Sequence, residues 1–204
     1  MVPLYQSYKS KYAIEQIQWG DIVNANIDIS GVELRTERLV LRPWRADDLT
    51  DFNAYARVDG VGQMAGWMPH KSLDESREIL DMFIREKKIF AVEYRGKAVG
   101  SVGIEPYNEQ YFPELAELRG REIGYVLAKE YWGQGLMPEA VKAVIGYLFD
   151  TVGLDFILVG HFEWNRQSAR VIEKCGFEYI RTIPYQTRCG TTELSREYIL
   201  YKDR

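Results

Sequence analysis

From Leu34 onward, apolar and polar positions fall into blocks whose period switches between two and about 3.6, the periods of strand and helix. Leu39, Leu41 and Pro43 alternate with Arg38, Val40 and Arg42, which predicts a strand that stops at a proline. Asp47 and Asp48 open a helix to about Arg57. A second helix spans Leu73 to Lys87, with Ser72 and Glu75 at capping-box spacing. Ile89 to Tyr94 and Lys97 to Ile104 read as strands joined at Arg95-Gly96, a hairpin turn. A loop rich in Glu and Pro, residues 105–120, leads into a strand from Glu122 to Leu127, and a glycine turn then opens a long helix from Leu136 to Asp150. Phe156 to His161 has the continuous apolar run of a buried strand. Gln167 to Cys175 forms a helix ended by Gly176, and Phe177 to Ile183 and Leu194 to Tyr201 are the last strands. The order β-α-α-β-β-β-α-β-α-β-β defines an α/β domain with hairpins early and crossover helices late.

Residues 1–31 lack this regularity and are rich in Tyr, Gln and Ser, so residues 32–204 read as the domain and 1–31 as an extension laid over it or over another subunit. Two readings of the extension stand: a short helix from Tyr12 to Trp19, with Ala13, Ile14 and Ile17 on one face, or a partly disordered tail. Gln6, Lys9, Lys11, Glu15 and Gln16 interrupt any signal-peptide run, and no segment is long and apolar enough for a bilayer, so a cytoplasmic protein without a membrane partner is expected. The net charge of -4, with no dense Lys/Arg run, argues against nucleic acid as a partner. Cys175 and Cys189 are the only cysteines and have no metal-ligand spacing, so neither a disulfide framework nor a metal is expected.

Against this background the turn Tyr131-Trp132-Gly133-Gln134-Gly135 carries chemistry. It follows a strand and opens a helix whose Val141, Val144, Ile145 and Leu148 recur at helical spacing. The first N–H groups of a helix lack internal partners, and the helix dipole adds about half a positive charge there. Glycines without Cβ atoms let an anion reach several of these groups at once, and Pro138 suits a first helical turn. A Walker loop would need Lys-Ser/Thr where Leu136-Met137 stands, and a dinucleotide fingerprint would need a small residue where Pro138 stands.

The stretch Glu122-Ile-Gly-Tyr-Val-Leu-Ala-Lys-Glu-Tyr-Trp-Gly-Gln-Gly-Leu-Met-Pro-Glu-Ala-Val141 resembles the coenzyme-A motif of the GNAT superfamily of N-acyltransferases, and most of all its ribosomal-protein N-terminal (RimJ/RimL-like) branch. Asn165-Arg-Gln-Ser168 through Gly176-Phe177 resembles the helix that follows, and Thr36-Glu-Arg-Leu-Val-Leu-Arg-Pro-Trp44 the opening strand. The resemblance implies a single-domain mixed, mostly antiparallel central sheet with flanking helices and one splayed strand pair. It also implies acetyl-CoA as donor and a primary amine as acceptor, on a protein N-terminus or a small molecule. One departure is Glu130, where the pattern has Gln or Arg; Glu offers no N–H to a phosphate.

The resemblance assigns pyrophosphate binding to backbone N–H groups of Gly133, Gln134, Gly135, Leu136 and Met137. The pantetheine arm would lie beside Tyr125, Val126 and Leu127, with an N–H near Val126 or Leu127 polarising the thioester carbonyl. Many relatives place a tyrosine four residues before the helix-ending glycine, where this chain has Ile172. Ser168 is therefore the expected proton donor to the thiolate, and Asn165 a coenzyme contact or helix cap. Glu122 is the first choice of general base, with Glu105 and His161 as rivals. An α-amino group with a pKa of about 7.7–8.0 is freed of its proton at pH 7 for roughly 1.4 kcal/mol, a lysine for about 4.6 kcal/mol, so a carboxylate suffices for the former. Cys175 reads as buried packing. Trp44, Tyr55, Trp67 and Tyr107 are aromatic candidates for an acceptor pocket, Trp67-Met68-Pro69-His70 foremost. The extension and the last strand are candidate homodimer contacts. The alternative function is a non-catalytic acyl-CoA sensor or interaction domain.

Overall fold

A computed structural model describes residues 24–202. Its elements are β1 (Leu34–Arg35), β2 (Leu39–Pro43), α1 (Leu49–Ala56), α2 (Leu73–Glu86), β3 (Ile89–Tyr94), β4 (Lys97–Glu105), β5 (Gly120–Leu127), α3 (Leu136–Gly146), β6 (Phe156–Phe162), α4 (Arg166–Lys174), β7 (Glu178–Gln186) and β8 (Thr192–Tyr201). The strands form one open eight-stranded sheet in the order β1-β2-β3-β4-β5-β6-β8-β7. Every pairing is antiparallel except β5 with β6.

Local chemistry fixes these elements much as the pattern predicts. Arg95 and Gly96 both take positive φ, the geometry a two-residue hairpin turn demands. The Ser72 hydroxyl accepts from the Glu75 N–H and caps α2, but the Glu75 carboxylate accepts from Lys71 N–H, so only half of the capping box forms. The long helix is α-helical only to Gly146. It continues as a π-helix, Tyr147–Val152, and stops at Gly153 in the left-handed region. Pro184 sits within β7, which is tolerable because β7 is an edge strand.

The sheet is buried on both faces. One face packs Ile123, Leu127, Ile157 and Val159 against Leu136, Ala140, Val144 and Ile172 of α3 and α4. The other packs Ala91 and Ala98 against Phe52 and Leu80 of α1 and α2, and farther along it Leu158 and Ile199 pack against Phe112 and Leu115 of the long loop. Ahead of the first strand, Ala25, Ile27 and Ile29 are buried in the main core while Asn26, Asp28 and Ser30 are exposed. This period-two stretch lies within residues assigned to the extension by sequence, and Ala25 is held by the Arg121 guanidinium on its carbonyl. The expected helix from Tyr12 to Trp19 lies outside the described residues.

Candidate active site

Parallel pairing of β5 with β6 runs from Gly120↔Phe156 to Ile123↔Val159 and ends there, although β5 continues to Leu127 and β6 to Phe162. The two strands therefore diverge, and a cleft of about 420 Å3 opens between them and the start of α3. It is lined by Glu122, Tyr125, Val126, Leu127, Gly133 and Ser168 among others, so one cavity gathers most of the residues singled out by sequence.

At one end lies the glycine turn. Gly133 and Gly135 have φ of +76° and +77°, a region costly for any residue with a Cβ. A Cβ on Gly133 would meet nothing within 4 Å, so the space before the helix N-terminus is open to a ligand. The Gln134 side chain donates back to the Glu130 carbonyl, which leaves the backbone of the turn as its binding surface. Leu136 and Met137 send their side chains into the core and offer only N–H groups. Three cations that sequence reasoning left unassigned stand near. Arg38 donates to the Gln134 carbonyl and pairs with Glu139, while Arg170 and Lys174 line the cleft one turn apart on α4. Their i, i+4 spacing was the available signal.

Along the open edge of β5 the three expected backbone contacts divide. Ala128 donates to the Val99 carbonyl, which fixes Val126 and Gly124 as the residues that hydrogen-bond to β4. Tyr125 and Leu127 therefore aim their backbone groups into the gap. The Leu127 carbonyl is already taken by the Trp132 indole, so its N–H remains. Val126 contributes a side chain and not the N–H expected of it.

Across the cleft, the Ser168 hydroxyl is 2.8 Å from the Tyr125 hydroxyl. Burial pushes the phenol's pKa up, so Tyr125 stays protonated and bridges the two elements. The Asn165 carbonyl oxygen accepts from Ser168 N–H and caps α4, and its amide donates to the Met64 carbonyl, so Asn165 latches the loop between α1 and α2 over the cleft. Ile172 is core. The Cys175 thiol is pushed up to about 11, mainly by burial, and sits against the Pro138 carbonyl.

The opposite face of the same strands holds the carboxylates. Side-chain alternation puts Glu122 and Gly124 of β5, Gly160 of β6 and Glu197 of β8 on one surface. Burial, then Glu197 and Glu105, raise the Glu122 carboxyl to about 8 from an ordinary 4.5. Glu105 is cross-strand from Glu122 but is ion-paired with Lys88. His161 lines the cleft with both ring nitrogens engaged, by the Phe162 carbonyl and the Tyr198 hydroxyl. Burial lowers its pKa, so it stays neutral and satisfied.

The aromatic expectations need correction. Trp44 and Tyr55 pack inside the α1–α2 core, Tyr107 under the long loop, and Trp67 against His70. The loop residues that reach the cleft are Val61, Met64 and Ala65, just before the expected segment, and its aromatic walls come from Tyr131, Trp132, Phe162 and Tyr185.

This geometry has a counterpart among known proteins. The family model described as "Acetyltransferase (GNAT) domain" matches residues 38–178, and the chain belongs to that family of acetyltransferases. The uncharacterized N-acetyltransferase YoaA of Bacillus subtilis is 27% identical over 181 residues, covering 84% of this chain and 97% of YoaA. The ribosomal-protein-S5-alanine acetyltransferase of Vibrio fischeri shares the fold at a TM-score of 0.66 and 22% identity, over 84% of this chain and 97% of that one. The microcin C7 self-immunity acetyltransferase MccE, solved with acetyl-CoA and AMP, does so at 0.67 and 15%, over 81% and 93%. Among the described residues, no helix is long and apolar enough to cross a membrane.

Proposed function

We propose that the protein transfers an acetyl group from acetyl-CoA to a primary amine by direct attack in a ternary complex. The observation that carries this reading is the single cleft that joins a glycine-flanked helix start to the half-buried Glu122 carboxylate across a splayed strand pair.

The cleft suits acetyl-CoA. The N–H groups from Gly133 to Met137 take the pyrophosphate, with Arg38, Arg170 and Lys174 as neighbouring cations. Backbone groups of Tyr125 and Leu127 pair with the pantetheine arm, and the Leu127 N–H stabilises charge developing on the thioester oxygen. Bound acetyl-CoA supplies an activated acyl carbonyl and a thiolate leaving group. Glu122 takes a proton from the incoming ammonium, directly or through one water, so that the neutral amine attacks. Ser168, held by Tyr125, gives a proton to the thiolate as the tetrahedral intermediate collapses.

The acceptor is a peptide α-amine or a small-molecule amine. Purified protein with acetyl-CoA, screened against peptides with free N-termini and against polyamines, should release thiol with at least one class. Tight coenzyme binding without release across the whole panel overturns the proposal.

A further inference from the structure

The loop between α1 and α2 roofs the acceptor end of the cleft and runs through a single 3-10 turn, Gly62–Ala65. Two ties from distant parts of the chain hold this roof down. The Asn165 amide donates to the Met64 carbonyl at 3.1 Å, and the Arg188 N–H, at the tip of the β7–β8 hairpin, donates to the Gly66 carbonyl at 2.7 Å. The fit beneath is close: a Cβ at Gly66 would lie 3.2 Å from the Phe162 ring and 3.5 Å from Thr187. What faces the covered space is mostly apolar. Val61, Met64 and Ala65 line it from the roof, and Val126, Phe162 and Tyr185 from the strands, the last two with rings 5.7 Å apart. Among the described lining residues Glu122 is the only carboxylate, the Ser195 hydroxyl is taken by Glu197, and the Asn165 side chain is engaged at both its oxygen and its nitrogen. Beside Glu122 on the same face, Gly124 leaves room, since a Cβ there would meet nothing within 4 Å.

We infer that the acceptor is a small primary amine with an apolar body, seated whole beneath the tied-down roof, and that Met64 and Phe162 select it. This rests on the reading of the protein as an acetyltransferase with Glu122 at its acceptor end. Such an amine finds one anion for its ammonium and apolar walls for the rest of it. A peptide would bring further amides under the roof, and each one left without a partner weakens binding by about tenfold or more. A polyamine would bring a second ammonium where the lining offers no second carboxylate, and an unpaired charge out of water is costlier still. The transfer forms a C–N bond to the acetyl carbon and breaks its C–S bond, yielding the amide, the coenzyme A thiol and one proton.

The test compares phenethylamine, spermidine and alanyl-alanyl-alanine amide as acceptors for the full chain with acetyl-CoA, at one pH, by thiol release. kcat/KM should be at least about tenfold higher for phenethylamine than for either of the others. Calorimetry on the coenzyme A complex should rank the three in the same order. Met64→Gln keeps the length of the side chain and the carbonyl that Asn165 holds, but it puts an amide into the roof. It should lower kcat/KM for phenethylamine by about tenfold and leave coenzyme A affinity unchanged. A preference for the peptide or the polyamine, or a Met64→Gln variant that handles phenethylamine as the wild type does, overturns the inference. Acetyl transfer fails separately: coenzyme A binding without thiol release from any acceptor would remove the activity, while the binding order of the three amines still decides which class the cleft takes.

Discussion

The two ends of the cleft are made of different material. The end proposed to hold the donor is mostly backbone: N–H groups of one turn, free edges of β5 at Tyr125 and Leu127, and the start of one helix. The end proposed to hold the acceptor is mostly side chains drawn from β5, β6, β8 and the α1–α2 loop. Backbone recognition suits a donor that is always the same molecule, because N–H groups persist through sequence change. Side-chain recognition suits an acceptor that must be chosen. A base placed among those side chains is tuned by its neighbours, so the two ends should fail in different ways when disturbed.

The sharpest break should come at Glu122. Glu122→Gln removes the proposed base but keeps shape and hydrogen-bonding reach, so acetyl transfer should fall by about 10²–10⁴-fold, the usual range for proton transfer by a placed group. Coenzyme A affinity by calorimetry should stay within error. A matching loss of coenzyme binding would mean that Glu122 serves the donor end and that the division between the ends is false. In the wild type, the base must be ionised to act. With Glu122 raised to about 8, kcat should therefore climb between pH 7 and 9 and lose that rise in the variant.

Ser168 lies at the border between the ends, and Ser168→Ala should lower kcat by about 10²-fold, the low end of that range, because water can replace a hydroxyl donor. KM for the acceptor should hold. If kcat is unchanged, Ser168 is a helix residue and the Tyr125 bridge only a packing contact.

Gly133→Ala should act on the donor end alone. The new Cβ touches no protein atom but stands in the open space before α3 and strains a left-handed residue. Coenzyme affinity should weaken about tenfold, roughly 1.4 kcal/mol. The Glu122 titration should not move; a shift there would couple two ends that the geometry keeps apart.

That division also explains what could be read before any fold was known. The glycine turn, the helix start and Ser168 lie in contiguous stretches, where spacing along the chain is spacing in space. Glu122 was legible because it opens the strand that leads into the turn. Glu197 and Gly160 were not, because their meeting depends on β8 sitting between β6 and β7. Sequence shows β7 and β8 as neighbours, yet it does not say which of them pairs with β6. The Val126 N–H was misplaced for a related reason: which alternate residues of β5 face β4 follows from register, and one step of register exchanges the sets. Met64 and Ala65 reach the cleft on a loop that Asn165 and the Arg188 N–H tie down from parts of the chain far away in sequence.

The smallest effect expected is on stability, and it sharpens the comparison because it needs no substrate. Glu122 holds its proton more tightly folded than unfolded, with a folded value near 8 against an ordinary 4.5. Between those values the folded state binds more protons than the unfolded one, so stability is fully present below about 4.5 and declines as pH rises through 8. Burial pushes Glu197 the same way. Because Glu122 faces the cleft and keeps some contact with solvent, the loss should be about 1 kcal/mol, a drop in Tm of about 2–4 °C between pH 5.5 and 8.5. Glu122→Gln should flatten that slope, whereas Gly133→Ala should lower Tm equally at both pH values. A wild-type Tm that rises across this window would mean that Glu122 is ionised in the folded protein, and would remove the raised proton affinity on which the acceptor end depends.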